Sequence, residues 1–233
     1  VKNESLYVRK FATLFKKLPP STEQPPQRDP VTQLVIGFLQ WEATHKQAEN
    51  AFKRIMQIMV DNNDLRVSHA HQIIELIGPN YPRVEERVAR MKDALQDIYV
   101  REHGINPVSI AEKAKKDIRA YYDTLPGMTP YVSALVLLLC YGAHTIPCDA
   151  KLATRFREEG VFDKEVTPQD IEHFLERQIK AGEGIDAHLR LQAWSDEASK
   201  RPAAPAKKPP AAKRPAPAKK PAASKPKKVA KKK

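Results

Sequence analysis

Cysteine is nearly absent: Cys140 and Cys148 are the only two in 233 residues. Such a pair argues against a disulfide framework and for a reducing, cytosolic setting. With His144 nearby but no second close pair, it also makes a poor start for a four-ligand zinc site. The apolar run at residues 131–141 is too short to cross a bilayer and reads as a buried helix, so no membrane partner is expected. The first residues lack the basic-then-apolar order of a signal peptide. No stretch alternates as a half-buried strand would, and glycine-rich phosphate loops, heptad series and internal repeats are missing.

The longest stretch without an acidic residue is the last one. From Lys200 onward the chain reads KRPAAPAKKPPAAKRPAPAKKPAASKPKKVAKKK, with 12 lysines, 2 arginines and no acid. Taking those 14 basic residues from the chain's 40 leaves 26 against 28 acids, so residues 1–199 carry about −2 while the whole chain carries +12. Val229 is the segment's one large apolar side chain, and its prolines favour extended backbone. The expectation is a disordered polycation over 200–233, able to bind nucleic acid by counterion release or to meet an acidic membrane or protein. Its Lys/Pro/Ala composition resembles the terminal arm of linker-histone-like proteins, a likeness that names no fold.

What remains, residues 1–199, is patterned for helices. Leu6, Phe11, Leu14, Phe15 and Leu18 form a stripe after Asn3, a candidate cap. Asp29 and Pro30 mark a start for Val31, Leu34, Val35, Phe38 and Leu39. Phe52, Ile55, Met56 and Met59 resume the spacing, Ser68 to Gly78 gives a short helix, and Pro82 opens a longer one through Val88, Met91, Leu95 and Ile98. Asn106 and Pro107 begin one helix or two short ones reaching Tyr122. TPQD at 167–170 reads as a capping box, and Ile185, Leu189, Leu191 and Trp194 suit a last docking helix. The expectation is an all-α body of about nine or ten helices, with the two ends of residues 1–199 packing as a small lobe.

The sharpest stretch is LPGMTPYVSALVLLLCYG followed by TIPCDAK, residues 125–151. Leu125, Pro126 and Gly127 suit a tight turn, and Thr129 and Pro130 can cap and start the next helix. Such a turn either aims free N–H groups at phosphate or is an ordinary connection. The stretch resembles the helix-hairpin-helix and downstream aspartate of the endonuclease III-like DNA glycosylase superfamily. LVIGFLQWEATHKQAENAFKRIM, residues 34–56, is similar to the family's early helix and DNA-intercalating loop. The likeness spans roughly residues 30–195, with the hairpin near 118–142.

The resemblance implies a hairpin of Gly127, Met128 and Thr129 that grips DNA backbone and an aspartate, Asp149, that assists base removal. Asp149 is equally an N-cap for AKLATRF. Tyr131 stands where bifunctional members carry the Schiff-base lysine, four residues after the hairpin's first glycine. A phenol forms no Schiff base, so the resemblance implies a monofunctional glycosylase without lysine-dependent strand cleavage. Thr129 replaces the second glycine and either weakens the phosphate grip or caps the helix. Lys151 replaces a frequent histidine, as a phosphate contact, a replacement nucleophile or a surface lysine. Glu42 replaces the gap-filling glutamine, leaving Trp41 or His45 to stack on a nucleotide, unless all three are structural.

The superfamily's iron–sulfur cluster needs four thiolates, and residues 150–199 hold none, so the resemblance implies a cluster-free member with no cofactor. The expected partner is damaged or mismatched double-stranded DNA, bound by a monomer in the cytoplasm at a bacterial nucleoid or in a eukaryotic nucleus. A catalytically altered damaged-DNA binder and a chromosome-associated protein are the alternatives.

Overall fold

The computed structural model describes residues 3–198 except residue 23. The basic segment at 200–233 lies outside the described residues. Among those described, eleven α-helices and two 3₁₀ turns occur and no strand. The helices are α1 (Glu4–Lys17), α2 (Pro30–Gln40), α3 (His45–Met56), α4 (Asn62–Val67), α5 (Ala70–Ile77), α6 (Val84–Glu102), α7 (Lys115–Asp123), α8 (Pro130–Tyr141), α9 (Ala150–Glu158), α10 (Pro168–Gln178) and α11 (Gly184–Ala198).

Local chemistry sets most starts. The Asp29 carboxylate accepts from the Val31 and Thr32 N–H groups at 3.1 and 2.9 Å, and Pro30 occupies the first turn of α2. Thr167 and Asp170 exchange bonds as a capping box on α10, and Thr44 with Gln47 does the same on α3. Two starts differ from the sequence expectation. Asn3 adopts a left-handed backbone and makes no side-chain cap bond. Arg83 is also left-handed, at φ 52°, so α6 begins at Val84 rather than Pro82. Of the two forms expected for residues 106–122 the divided one is present, a 3₁₀ turn at Val108–Ile110 and the separate α7, and α4 is an additional short helix.

Helix α8 is buried from Tyr131 through Leu138, as a helix apolar on every face must be. It packs on α2, where Gly37 makes the approach possible: a Cβ there would sit 3.1 Å from Val132 Cγ1. Around this pair lies a first core of Leu34, Phe38, Ile55, Leu65, Ile73, Val88, Met91, Leu95, Ile98 and Leu135, fed by α2–α8. A second core joins α1 to α9, α10 and α11 through Tyr7, Phe11, Phe156, Phe162, Phe174, Leu191 and Trp194. The two ends of the described chain thus build one lobe together. Ala143 belongs to the first core and Ile146 and Cys148 to the second, so the segment leading to Asp149 crosses the seam.

Candidate active site

The hairpin runs from α7 to α8. Met128 N–H donates to Leu125 O at 3.2 Å, closing the turn. Gly127 has φ 74°, and a Cβ there would lie 2.7 Å from Arg90 O, so the turn rests directly on α6 and admits only glycine. Arg90 returns the contact, its Nη1 donating to Gly127 O at 3.1 Å. Thr129 takes the capping role: its hydroxyl accepts from Val132 N–H at 3.3 Å. Met128 is half-buried against the first core. Among the described residues the N–H groups of Gly127 and Thr129 have no acceptor. Two donors in the turn leading into α8 are thus left without a protein acceptor, the kind of group an anion can take up.

Asp149 sits across the seam as the N-cap of α9. Its Oδ1 accepts from Leu152 N–H at 2.8 Å and its Oδ2 from Glu42 N–H at 2.7 Å. Only 7% of the residue is exposed, and burial pushes its carboxyl upward against the pull of those two N–H groups. Tyr131 is buried near it. Burial, with the Asp149 charge second, holds the phenol well above its ordinary range, so it stays neutral. The Tyr131 hydroxyl donates to Gln192 Oε1 at 3.4 Å.

Helix α11 completes the seam. Gln192 and Asp196 lie one turn apart, Nε2 of the first donating to Oδ1 of the second at 2.9 Å. Asp196 Oδ2 accepts from His45 N–H at 2.8 Å, and its Oδ1 pairs with Lys151 Nζ. Lys151 also donates to Ala43 O at 3.2 Å. Its amine is therefore tied between the loop and α11, a placement unlike a solvated phosphate contact. A cavity of about 440 Å³ opens beside it, lined by Glu42, Lys151, Thr154, Arg155, Glu158 and Ser195.

The loop between α2 and α3 is held from both sides. Glu42 has φ 55°, a left-handed conformation rarely adopted by a residue with a Cβ. Its carboxylate accepts from Arg83 Nη1 at 2.9 and 3.0 Å. Trp41 is buried in the first core with the Arg83 guanidinium 4.4 Å over its ring, so its indole is already covered. His45 is exposed, its ring 3.4 Å from Gln40 Oε1. Beneath them Arg87 is fully buried, and its guanidinium donates to Phe38 O, to Trp41 O at 2.7 Å and to Pro82 O at 3.0 Å. Three carbonyls fix where the loop leaves α2.

The hairpin, Asp149 and the loop from Trp41 to His45 thus meet around α6 and the lobe seam. Sequence reasoning missed Arg87, Gln192 and Asp196. The i, i+4 spacing of the last two was a readable signal, whereas a buried arginine bonded only to carbonyls leaves no sequence trace. The iron–sulfur cluster does not fit: two free cysteines cannot supply four thiolates. Among the described residues no group of three or more His, Cys, Asp or Glu side chains could hold a metal ion, and no helix is long and apolar enough to cross a membrane.

Comparison of the whole body with solved structures decides the architecture. A trapped endonuclease III–DNA covalent intermediate matches with a TM-score of 0.58 and 15% identity, covering 82% of this chain and 84% of that one. The fold is that of the endonuclease III-like DNA glycosylases. A thermostable thymine-DNA glycosylase matches at TM-score 0.53 and 18% identity over 83% of this chain and 86% of that one. An H. pylori 3-methyladenine DNA glycosylase bound to 1,N6-ethenoadenine matches at 0.54 and 14%, over 84% and 96%. No protein-family model and no curated protein sequence matches the chain. At these identities the likeness carries the fold alone.

Proposed function

We propose that the protein is a monofunctional DNA glycosylase that releases a damaged or mismatched base from double-stranded DNA. The observation that carries this reading is Asp149: a buried acid at the N-terminus of α9, across the seam from a phosphate-suited hairpin, in the fold of DNA glycosylases. The hairpin N–H groups of Gly127 and Thr129 hold backbone phosphate without reading bases. A nucleotide leaves the stack most readily where pairing is already weak, which favours lesions before chemistry begins.

The two oxygens of Asp149 divide the work. Oδ1 stays fixed by Leu152 N–H, which orients the carboxylate, while Oδ2 becomes available when Glu42 N–H withdraws. As the base departs, positive charge grows at C1′ of the sugar. Oδ2 stabilises that charge or orients the attacking water, and the low-dielectric surroundings strengthen the effect. The neutral Tyr131 shapes the pocket and donates a hydrogen bond but no electron pair to carbon. Lys151 remains paired with Asp196, so the product is an abasic site in an uncut strand. The basic segment raises local concentration on DNA through counterion release, in the nucleoid of a bacterium or the nucleus of a eukaryote.

One observation favours a second reading, a catalytically altered damaged-DNA binder: both Asp149 oxygens already hold N–H partners. A panel of duplexes carrying uracil or thymine opposite guanine, oxidised bases and alkylated bases separates the two. Free base appearing before alkaline treatment, without borohydride trapping, is the result expected. Tight, lesion-selective binding with no base released from any duplex would establish the second reading instead.

A further inference from the structure

A continuous ionic chain joins the loop over Asp149 to the hairpin. Glu42 is paired with Arg83, Arg83 with Glu86 at 2.7 Å, Glu86 with Arg90 at 2.9 Å, and Arg90 Nη1 reaches Gly127 O at 3.1 Å. Both arginines lie over the Trp41 ring, at 4.4 and 5.5 Å. The Glu42–Arg83 pair, with both carboxylate oxygens on the one Nη1, joins two residues that both adopt left-handed backbone, φ 55° and 52°. Two such conformations outside glycine, facing each other, point to a contact with a purpose beyond stability: a pair this exposed is worth little by itself.

We propose that Arg83, seated on Trp41 next to Arg90, is a phosphodiester site that the Glu42 carboxylate occupies in the free protein as a phosphate substitute. A carboxylate and a phosphate both offer paired anionic oxygens to the Nη1 N–H groups that Glu42 now occupies, while Glu86 keeps the Nε and Nη2 edge in place, so one exchanges for the other without moving the arginine. A duplex held at the Gly127 and Thr129 N–H groups brings its backbone past Arg90, which touches that turn directly, and on to Arg83. The phosphate then displaces Glu42. Because the Glu42 N–H is what covers Asp149 Oδ2, the same exchange uncovers the acid. Phosphate binding and exposure of the carboxylate become one event, and the acid stays sealed from water until DNA arrives.

This inference rests on the reading of the hairpin as a DNA grip, and its test is a binding experiment separate from base release. Affinity of the full chain for a short duplex containing a tetrahydrofuran abasic analogue is measured across a potassium chloride series for wild type, Glu42→Gln, Arg83→Gln and the double variant. Glu42→Gln, which keeps the side chain's shape, is expected to tighten binding about tenfold near 0.1 M salt and to steepen log K against log salt by about one unit. Arg83→Gln is expected to weaken binding and flatten the slope by about one unit. In the double variant the gain from Glu42→Gln disappears. An equal gain with or without Arg83 would mean that removing any negative charge suffices, and would overturn the proposal, as would variants indistinguishable from wild type. Base release that persists while the cycle shows no coupling leaves the excision reading standing and removes this one; coupling without base release does the reverse.

Discussion

The two lobes are built on different principles. The lobe of α2–α8 is one unbroken stretch of chain around an aliphatic core, with isoleucine, leucine, valine and methionine at most fully buried positions. The lobe of α1, α9, α10 and α11 draws on both ends of the described chain, and its centre is aromatic. Phe156 meets Phe162 edge-on at 5.4 Å and Trp194 at a tilt at 5.2 Å, while Phe174 meets Phe11 and Phe162 edge-on at 5.9 and 5.1 Å. Distant segments must find each other here with no cysteine quartet to bind them. Large rings with preferred edge-to-face geometry provide both area and orientation. Asp149 lies on the seam, so its position depends on both lobes folding.

Breaking the aromatic centre gives the largest expected effect. Phe156→Ala should destabilise the protein by about 3–5 kcal/mol in urea titration, with amide protection failing first in α1, α9, α10 and α11. Simultaneous loss across both lobes would mean that the seam, rather than the ring cluster, sets cooperativity.

Titration sharpens the comparison, because the terminal lobe's helices carry two buried groups that act in opposite directions. Burial raises Glu172 to about 7, and its Oε1 accepts from the Thr145 hydroxyl at 3.1 Å. Between roughly pH 4.5 and 7 the folded state holds a proton that the unfolded state has lost, so this group's contribution falls as pH rises, by on the order of 2–3 kcal/mol. Burial lowers His188 to about 4. The unfolded state then binds the extra proton between about pH 4 and 6.5, so its contribution rises with pH over that window. The two largely offset each other. Glu172→Gln should expose the histidine slope alone, seen as melting temperature increasing from pH 4.5 to 6.5 more steeply than in wild type.

The smallest effect belongs to the hairpin. Thr129→Ala removes the cap on α8 and should cost about 1 kcal/mol, measured by thermal unfolding, because the helix is held mainly by burial on all sides. A much larger loss would make the cap, and not packing, the organiser of the central helix.

Much of this was legible beforehand. Asp29–Pro30, Thr129–Pro130 and Thr167–Asp170 are local signals, and each bond they implied is present. The all-helical body followed from periodicity, and its likeness to glycosylases from the order of residues 125–151. What could not be read is non-local. Arg87 reaches three carbonyls between 5 and 49 positions away in sequence. Arg83 and Glu42 meet only because two separate loops bend left-handed. Lys151 looked free as a letter in CDAK, and Asp196, contributed by a helix 45 residues on, takes it up.

Under the proposed function Asp149 performs the chemistry. The most direct test is single-turnover base release by the full chain and by Asp149→Asn on the best duplex of the lesion panel, with affinity for the same duplex measured in parallel. Release slowed about 10²- to 10³-fold with affinity unchanged is the result expected. Equal release rates from the two proteins would contradict it.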